Sequence, residues 1–233
     1  VAGSGSGSGF AGGAAVGVNS IRNNVVAQII GDGTQTVNAT SGDVNVLAID
    51  RPDILSVAVA LSYGSTAGLG GAVAYNFIGG APITDVDDLS SRNVDFTDTS
   101  SDERTSSTDS AANITASIEG VVVNARAVSV RADSMADMLS ITAGGAGSGS
   151  GFAVAGSASV NFVDQNIDAQ IGDDTKGSSL VTTVKTTGPL DGIGGKHSVE
   201  VVANFTPKLF NLAFGGAAGL GGVGAGAAVA IND

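Results

Sequence analysis

GSGSGFAGGAAVGVN, residues 5–19, returns 142 positions later as GSGSGFAVAGSASVN, residues 147–161. Gly/Ser tracts commonly serve as flexible linkers, but a linker has no reason to keep a phase, and these tracts keep one. In the first copy Gly5, Gly7, Gly9, Ala11, Gly13, Ala15 and Gly17 share a register that closes on Asn19, and Phe10, Val16 and Val18 occupy the other. In the second, Gly147, Gly149, Gly151, Ala153, Ala155, Ser157 and Ser159 lead to Asn161, opposite Phe152, Val154 and Val160. A third stretch, VALSYGSTAGLGGAVAYN, sets Ala60, Ser62, Gly64, Thr66, Gly68, Gly70, Ala72 and Ala74 before Asn76, opposite Leu61, Tyr63, Leu69, Val73 and Tyr75. A period of two predicts extended β-structure. One face of each strand is tiny throughout.

Two further phrases recur. N-[VI]-x-A-x-I occurs as NVVAQI from Asn24, NITASI from Asn113 and NIDAQI from Asn166; the first and third end in a Gly-Asp turn, at Gly31-Asp32 and Gly172-Asp173. An alternating strand with an apolar sequel occurs as VNVLAIDRPDILSV, VSVRADSMADMLSI and VEVVANFTPKLFNL, so that Val44, Val46 and Ala48 match Val128, Val130 and Ala132, then Val199, Val201 and Ala203. The order is cyclic: glycine tract, asparagine, first phrase, turn, second phrase, next tract. Asn19, Asn76, Asn161 and Asn232 close four passes, spaced by 57, 85 and 71 residues. Insertions lengthen the passes without touching the repeated phrases, as in repeat proteins with a stacked core. The first insertion, residues 84–109, is acidic and rich in Ser and Thr; the second spans 176–197.

These features predict an all-β chain: a β-solenoid (parallel β-helix) of imperfect Gly/Ala-rich repeats with loop insertions. The alternative is a stacked β-sandwich of long antiparallel strands. Residues 1–233 form one continuous repeat segment, expected to belong to a longer or polymerising protein in which another N-[VI]-x-A-x-I strand would follow Asp233. A small-residue face buries little apolar area, and glycine costs about 0.5–1 kcal/mol relative to alanine inside a regular element. Continuous strand pairing and a close approach of sheets must offset this. The opposite register, with Phe10, Leu69, Tyr75, Phe152, Val160 and Ile231, is expected to supply the apolar core. The closing asparagines fit either a stacked ladder of side-chain amides or polar caps at strand ends.

Composition narrows the function. The chain has no Cys and one His, His197, which excludes disulfides and thiolate metal sites and denies a His-rich centre. A net charge of -12 argues against nucleic acid and anionic lipid; residues 84–109 carry half of it, since Asp85, Asp87, Asp88, Asp95, Asp98, Asp102, Glu103 and Asp109 face only Arg92 and Arg104. Residues 209–231 lack charge and are long enough for a membrane helix, but their alternation and their Gly/Ala content favour a strand. His197, in a glycine-rich loop with no readable Ser-Asp partner, reads as an exposed loop residue rather than a base. No paired carboxylates of the glycosidase kind stand out, so the chain reads as non-catalytic. Asp85, Asp87, Asp88, Asp173 and Asp174 are calcium candidates by ligand chemistry, although neither an EF-hand spacing nor the β-roll nonapeptide is present. No other cofactor is indicated.

The Gly/Ala tracts ending in VN or IND, with NIDAQIGD and VSVRADS strands after them, resemble the repeats of very large bacterial surface proteins. These are the leukotoxin-like filamentous adhesins and related autotransporter or two-partner-secreted passengers. The resemblance covers nearly the whole chain and rests on repeat style. It implies an elongated extracellular stalk or fibre at the bacterial cell surface, whose partners are copies of itself or adjacent repeats stacked end to end. The alternative function is a binding module that recognises calcium, glycan or a partner cell through its loop insertions.

Overall fold

The computed structural model describes residues 1–79, 112–172, 180–188 and 198–233. The described residues form β-strands and connecting turns. Pass one contains β1 (Ala2–Ser6), β2 (Phe10–Ile21) and β3 (Val25–Asp50); pass two contains β4 (Asp53–Gly64), β5 (Ala67–Gly79) and β6 (Ala112–Ser134). Pass three contains β7 (Asp137–Ser148), β8 (Phe152–Ile171), β9 (Thr183–Thr186) and β10 (Val199–Phe205); pass four contains β11 (Lys208–Gly219) and β12 (Gly224–Asn232).

The first three passes visit the same three stations, and pass four visits the first two. A first sheet stacks β1, β4, β7 and β11; a second stacks β2, β5, the first part of β8, and β12; a third joins β3 and β6 to the end of β8, to β9 and to β10. All of these pairings are parallel. The antiparallel alternative is therefore not what forms, because each strand pairs with its counterpart in the next pass and not with its chain neighbour. Its long strands and face-to-face stacking are retained.

The register follows the repeated phrases residue by residue. Ala27 pairs with Ala116 and Ala116 with Ala169; Ile29 pairs with Ile118 and Ile118 with Ile171. Val44, Val128 and Val199 align, as do Ala48, Ala132 and Ala203. Asn19, Asn76, Asn161 and Asn232 fall in one row. The stretch expected as one insertion at 176–197 contributes a strand, β9, whose Thr183, Val184, Lys185 and Thr186 pair with residues 122–125. The short alternation in VTTVKT was the signal for it.

Two regions differ in how they bury side chains. In the third sheet the register shifts between Ile30 and Gln35 and between Ala39 and Asp43, so that β3 and β6 pair in three segments. The inward side chains of β6, among them Ile114, Ile118, Val121, Val123, Val128 and Val130, meet in one apolar cluster, with Ala116, Ala125 and Ala132 between them. Glycines make the first corner: Gly33 (φ +91°) and Gly120 (φ +61°) adopt backbone conformations that other residues rarely take. Arg126 reaches Asp43 at 2.6 Å at the second bend.

The first and second sheets form a slab in which the chain runs out along one and returns along the other through a short turn, such as Gly64–Ala67 between β4 and β5. The slab interior is made of Ala15, Ala58, Ala60, Ala72 and Ala74, with Ala146, Ala153 and Ala155 farther along, and of Ser56, Ser140, Thr142 and Ser159. Ile54, Ile78 and Met138 fill only the base of the slab, next to the third sheet. The expectation that the larger register forms the core is overturned: Phe10 is 59% exposed, Phe152 49% and Leu69 38%, and Tyr75, Val160 and Ile231 are only half-buried. The physical reason is the tight turn between two small-faced strands. It points both small faces at each other, and the large side chains are left outside.

Candidate functional site

The small faces permit a sheet separation that is set by backbone. A Cβ built on Gly226 stands 2.6 Å from the carbonyl oxygen of Gly215, and one on Gly13 stands 2.8 Å from that of Leu61. Elsewhere the approach is closer still: Gly70 lies against the Gly145 carbonyl, Gly68 against that of Gly147, Gly144 against that of Gly156 and Gly215 against that of Ala227. A methyl group at these positions would meet backbone, which cannot swing aside as a side chain does. The glycines are thus a requirement of packing.

Where the slab meets the third sheet, polar groups run along the stacking direction. Asn19 Nδ2 donates to Asn76 Oδ1 at 2.8 Å, Asn76 Nδ2 to Asn161 Oδ1 at 2.8 Å, and Asn161 Nδ2 to Asn232 Oδ1 at 3.0 Å. Asn76 and Asn161 are completely buried. Of the two roles open to these residues, the hydrogen bonds are those of the ladder. Each amide has both a donor and an acceptor, so a row of identical amides at the inter-strand spacing satisfies its members in sequence. Similar pairs stand on the third sheet, from Asn124 to Asn38 at 3.0 Å and from Asn166 to Asn113 at 3.3 Å.

Between the two slab sheets, Ser140 and Ser159 hydroxyls lie 2.6 Å apart. Asn211 Nδ2 crosses from β11 to donate to the carbonyls of Ser159 and Ile231, each at 3.0 Å. The junction with the third sheet holds a buried carboxylate: Asp50 accepts from Asn23 Nδ2 and from Gln165 Nε2, both at 2.8 Å, and Gln165 accepts from Ser134 at 2.6 Å. Asp50 is on β3 and Gln165 on β8, so this network fastens pass one to pass three at the point where slab becomes lobe. At the first corner of β3, Asp32 Oδ1 accepts from the Thr34 hydroxyl at 2.6 Å and from the Thr34 backbone N–H at 3.0 Å. Those bonds, with Gln35, hold its carboxyl below the ordinary carboxylate range.

Two shallow grooves lie on the slab. One, of about 540 Å³, is lined by Leu61, Tyr63, Gly145, Gly147, Gly216 and Ala218; the other, of about 430 Å³, by residues such as Gly12, Leu69, Gly71 and Val154. Both are apolar and neither includes a titratable carboxylate or amine. The calcium candidates Asp85, Asp87, Asp88, Asp173 and Asp174 lie outside the described residues, as does His197. Among the described residues no group of three His, Asp or Glu side chains is placed to hold a metal ion. No described helix is long and apolar enough to cross a membrane.

Sequence reasoning found the asparagine row, because its members close equivalent phrases. It missed Asp50, Gln165 and Asn211, which occur once per chain and owe their partners to the stacking of passes. No family model matches the chain, and neither a curated protein nor a solved structure is significantly similar to it.

Proposed function

We propose that this chain is a β-solenoid of the parallel β-helix type, acting as a non-catalytic stalk or fibre-forming segment of a bacterial extracellular filamentous adhesin. The observation that carries the reading is the residue-for-residue stacking of four passes, with the outermost strands paired on one side only. Among the described residues, β1 and β2 pair only with β4 and β5, and β11 and β12 only with β7 and β8. A further pass, from an adjoining repeat or another copy, finds there a ready template of N–H and C=O groups, with Asn19 or Asn232 at the end of the amide ladder to receive the next asparagine. Such an element transmits length, because each added pass lengthens the stack by one inter-strand spacing, about 4.8 Å.

Electron microscopy of the purified chain tests the reading. Narrow rods or fibres of uniform width are expected, and isolated round particles at every concentration would refute it. Turnover of a polysaccharide that disappears on substituting particular carboxylates would replace it with an enzymatic reading.

A second reading, a binding module, is favoured by where the two expected insertions join the chain. Residues 80–111 enter where the chain passes from β5 of the second sheet to β6 of the third, and 173–179 and 189–197 flank β9 of the third sheet, so all three stretches leave the repeat units of the slab intact. That lobe is the place where a calcium ion, a glycan or another cell would be recognised. Calcium titration and cell binding, each with and without residues 84–109, separate the readings. Unchanged melting and adhesion on deletion leave the scaffold role alone.

A further inference from the structure

The slab inverts the usual distribution of side chains. Alanine, serine and buried amides fill its interior, and its outer surfaces carry Leu55, Val57, Leu61, Tyr63, Phe210 and Phe214 on the first sheet, all at least half exposed. No Asp, Glu, Lys or Arg occurs in residues 2–21, 54–79, 138–163 or 209–232. Among the described residues, the charged ones sit at the base of the slab or in the third sheet. An uncharged apolar face of this extent is rare on a protein that stands alone in water.

We infer that the outer face of the first sheet is a docking surface for a second copy of this chain, packed face to face with its strands reversed. Side-chain size along that face supports this occupant. Nearest the base the rows read Leu55, Leu139, Phe210, then Val57, Ile141, Leu212, then Val59, Ala143, Phe214. Toward the turn they become Gly3, Leu61, Gly145, Gly216 and Gly5, Tyr63, Gly147, Ala218. In passes three and four, large side chains therefore occupy one end and a groove of small ones the other. A two-fold axis parallel to the stacking direction, passing near Ala143 and Phe214, lays Phe210 over Ala218 and Leu212 over Gly216 of the second copy, and in pass three Leu139 over Gly147 and Ile141 over Gly145. The same rotation places the third sheets of the two copies, which hold Asp32, Asp43, Glu119 and Asp168, at opposite ends, where like charges repel least.

The outer face of the second sheet lacks this gradient. Phe10 and Phe152 stand near its turn, Phe162 and the buried Phe77 near its base, and Ala14, Gly71, Gly156 and Ala227 lie between. Reversal would set hollow against hollow. From strand length and spacing the first face spans about 650 Å² per copy, so a pair covers about 1,300 Å², within the range of specific interfaces. A lipid bilayer fits less well, because hydrocarbon would surround the singly paired backbone of β1 and β11. Face-to-face pairing is lateral and leaves strand edges untouched, so it does not rest on the end-to-end assembly proposed above.

Sedimentation equilibrium on the 233-residue chain tests the inference. A Cβ on Gly216 or on Gly71 meets nothing within 4 Å, so Gly216→Leu fills the groove, and Gly71→Leu marks the opposite face, without disturbing the fold. The native chain is expected to dimerise. Gly216→Leu and Phe210→Ser should each weaken association tenfold or more, and Gly71→Leu should not, with all three melting close to the native chain. Where end-to-end fibres form, mass per length replaces mass: paired in the native chain and halved by Gly216→Leu. A native chain that stays monomeric, association lost with Gly71→Leu but kept with Gly216→Leu, or flotation with phosphatidylcholine vesicles in place of self-association would each overturn it.

Discussion

Adjacent glycines on β5 should respond oppositely to the same substitution. At Gly70 an added methyl group falls on the carbonyl oxygen of Gly145, well inside the 3.0 Å that real Cβ atoms respect; at Gly71 it enters open space on the outer face. For Gly70→Ala the two sheets must part by on the order of 1 Å to regain ordinary contact. They cannot part at one point alone, because Gly68 and Gly144 hold the neighbouring backbone equally close. Overpacking of this kind costs about 1–3 kcal/mol. At Gly71→Ala no contact opposes the change, and the lower entropy of the unfolded chain stabilises by about 0.4–1 kcal/mol. The two variants should therefore differ by about 1.5–4 kcal/mol. Urea unfolding followed by circular dichroism reads this as a lower midpoint for Gly70→Ala and an unchanged or higher one for Gly71→Ala, at equal slope. Equal midpoints would show that glycine does not set the distance between the sheets.

Asn161→Ala should lower stability by about 1–3 kcal/mol, because it strands the buried Asn76 amide donor and the Asn232 acceptor; a midpoint within error of native would remove the ladder from the account of stability. Ile118→Ala, in the completely buried core of the third sheet, should cost about 2–5 kcal/mol. Leu55→Ala, on the outer slab face, should stay within about 0.5 kcal/mol under monomeric conditions, and a large loss there would contradict the inverted packing. The Asp32 carboxyl has a folded pKa below its unfolded value near 3.9. It therefore adds stability above that value, which is lost as pH falls through the folded pKa. Unfolding midpoints measured from pH 5 downward should fall less for Asp32→Ala than for the native chain, and parallel profiles would exclude this contribution.

The repeated phrases made the pairing legible. Once Asn24, Asn113 and Asn166 had been aligned as starts of one motif, and Asn19, Asn76, Asn161 and Asn232 as ends of another, the rows of the structure followed. A phase of two showed that small residues share a face, but alternation alone does not say which face is inside. Large apolar side chains such as Phe10 and Phe152 are usually inside, and here they are not. The deciding information was the brevity of the turn after Gly64, which makes two small-faced strands fold onto each other and leaves Leu61, Tyr63 and Leu69 nowhere to go but out. The Asp50–Gln165 bond joins residues 115 positions apart and depends on the bends in β3, which no local pattern announces. β9 was lost inside an expected loop because its four residues are shorter than the strands around it.

The inverted slab bears on how the protein responds to temperature. The heat capacity gained on unfolding comes from apolar surface newly wetted. In the slab much of that surface is wet already, on Leu55, Leu61, Phe210 and Phe214, and melting chiefly uncovers peptide groups, which lower the heat capacity. The unpaired chain should fall below the usual 12–15 cal/mol/K per residue, giving a shallow stability curve and a distant cold-denaturation point. A scaffold held by backbone contact at close range gains calorimetric indifference to cold that an oily interior would not confer.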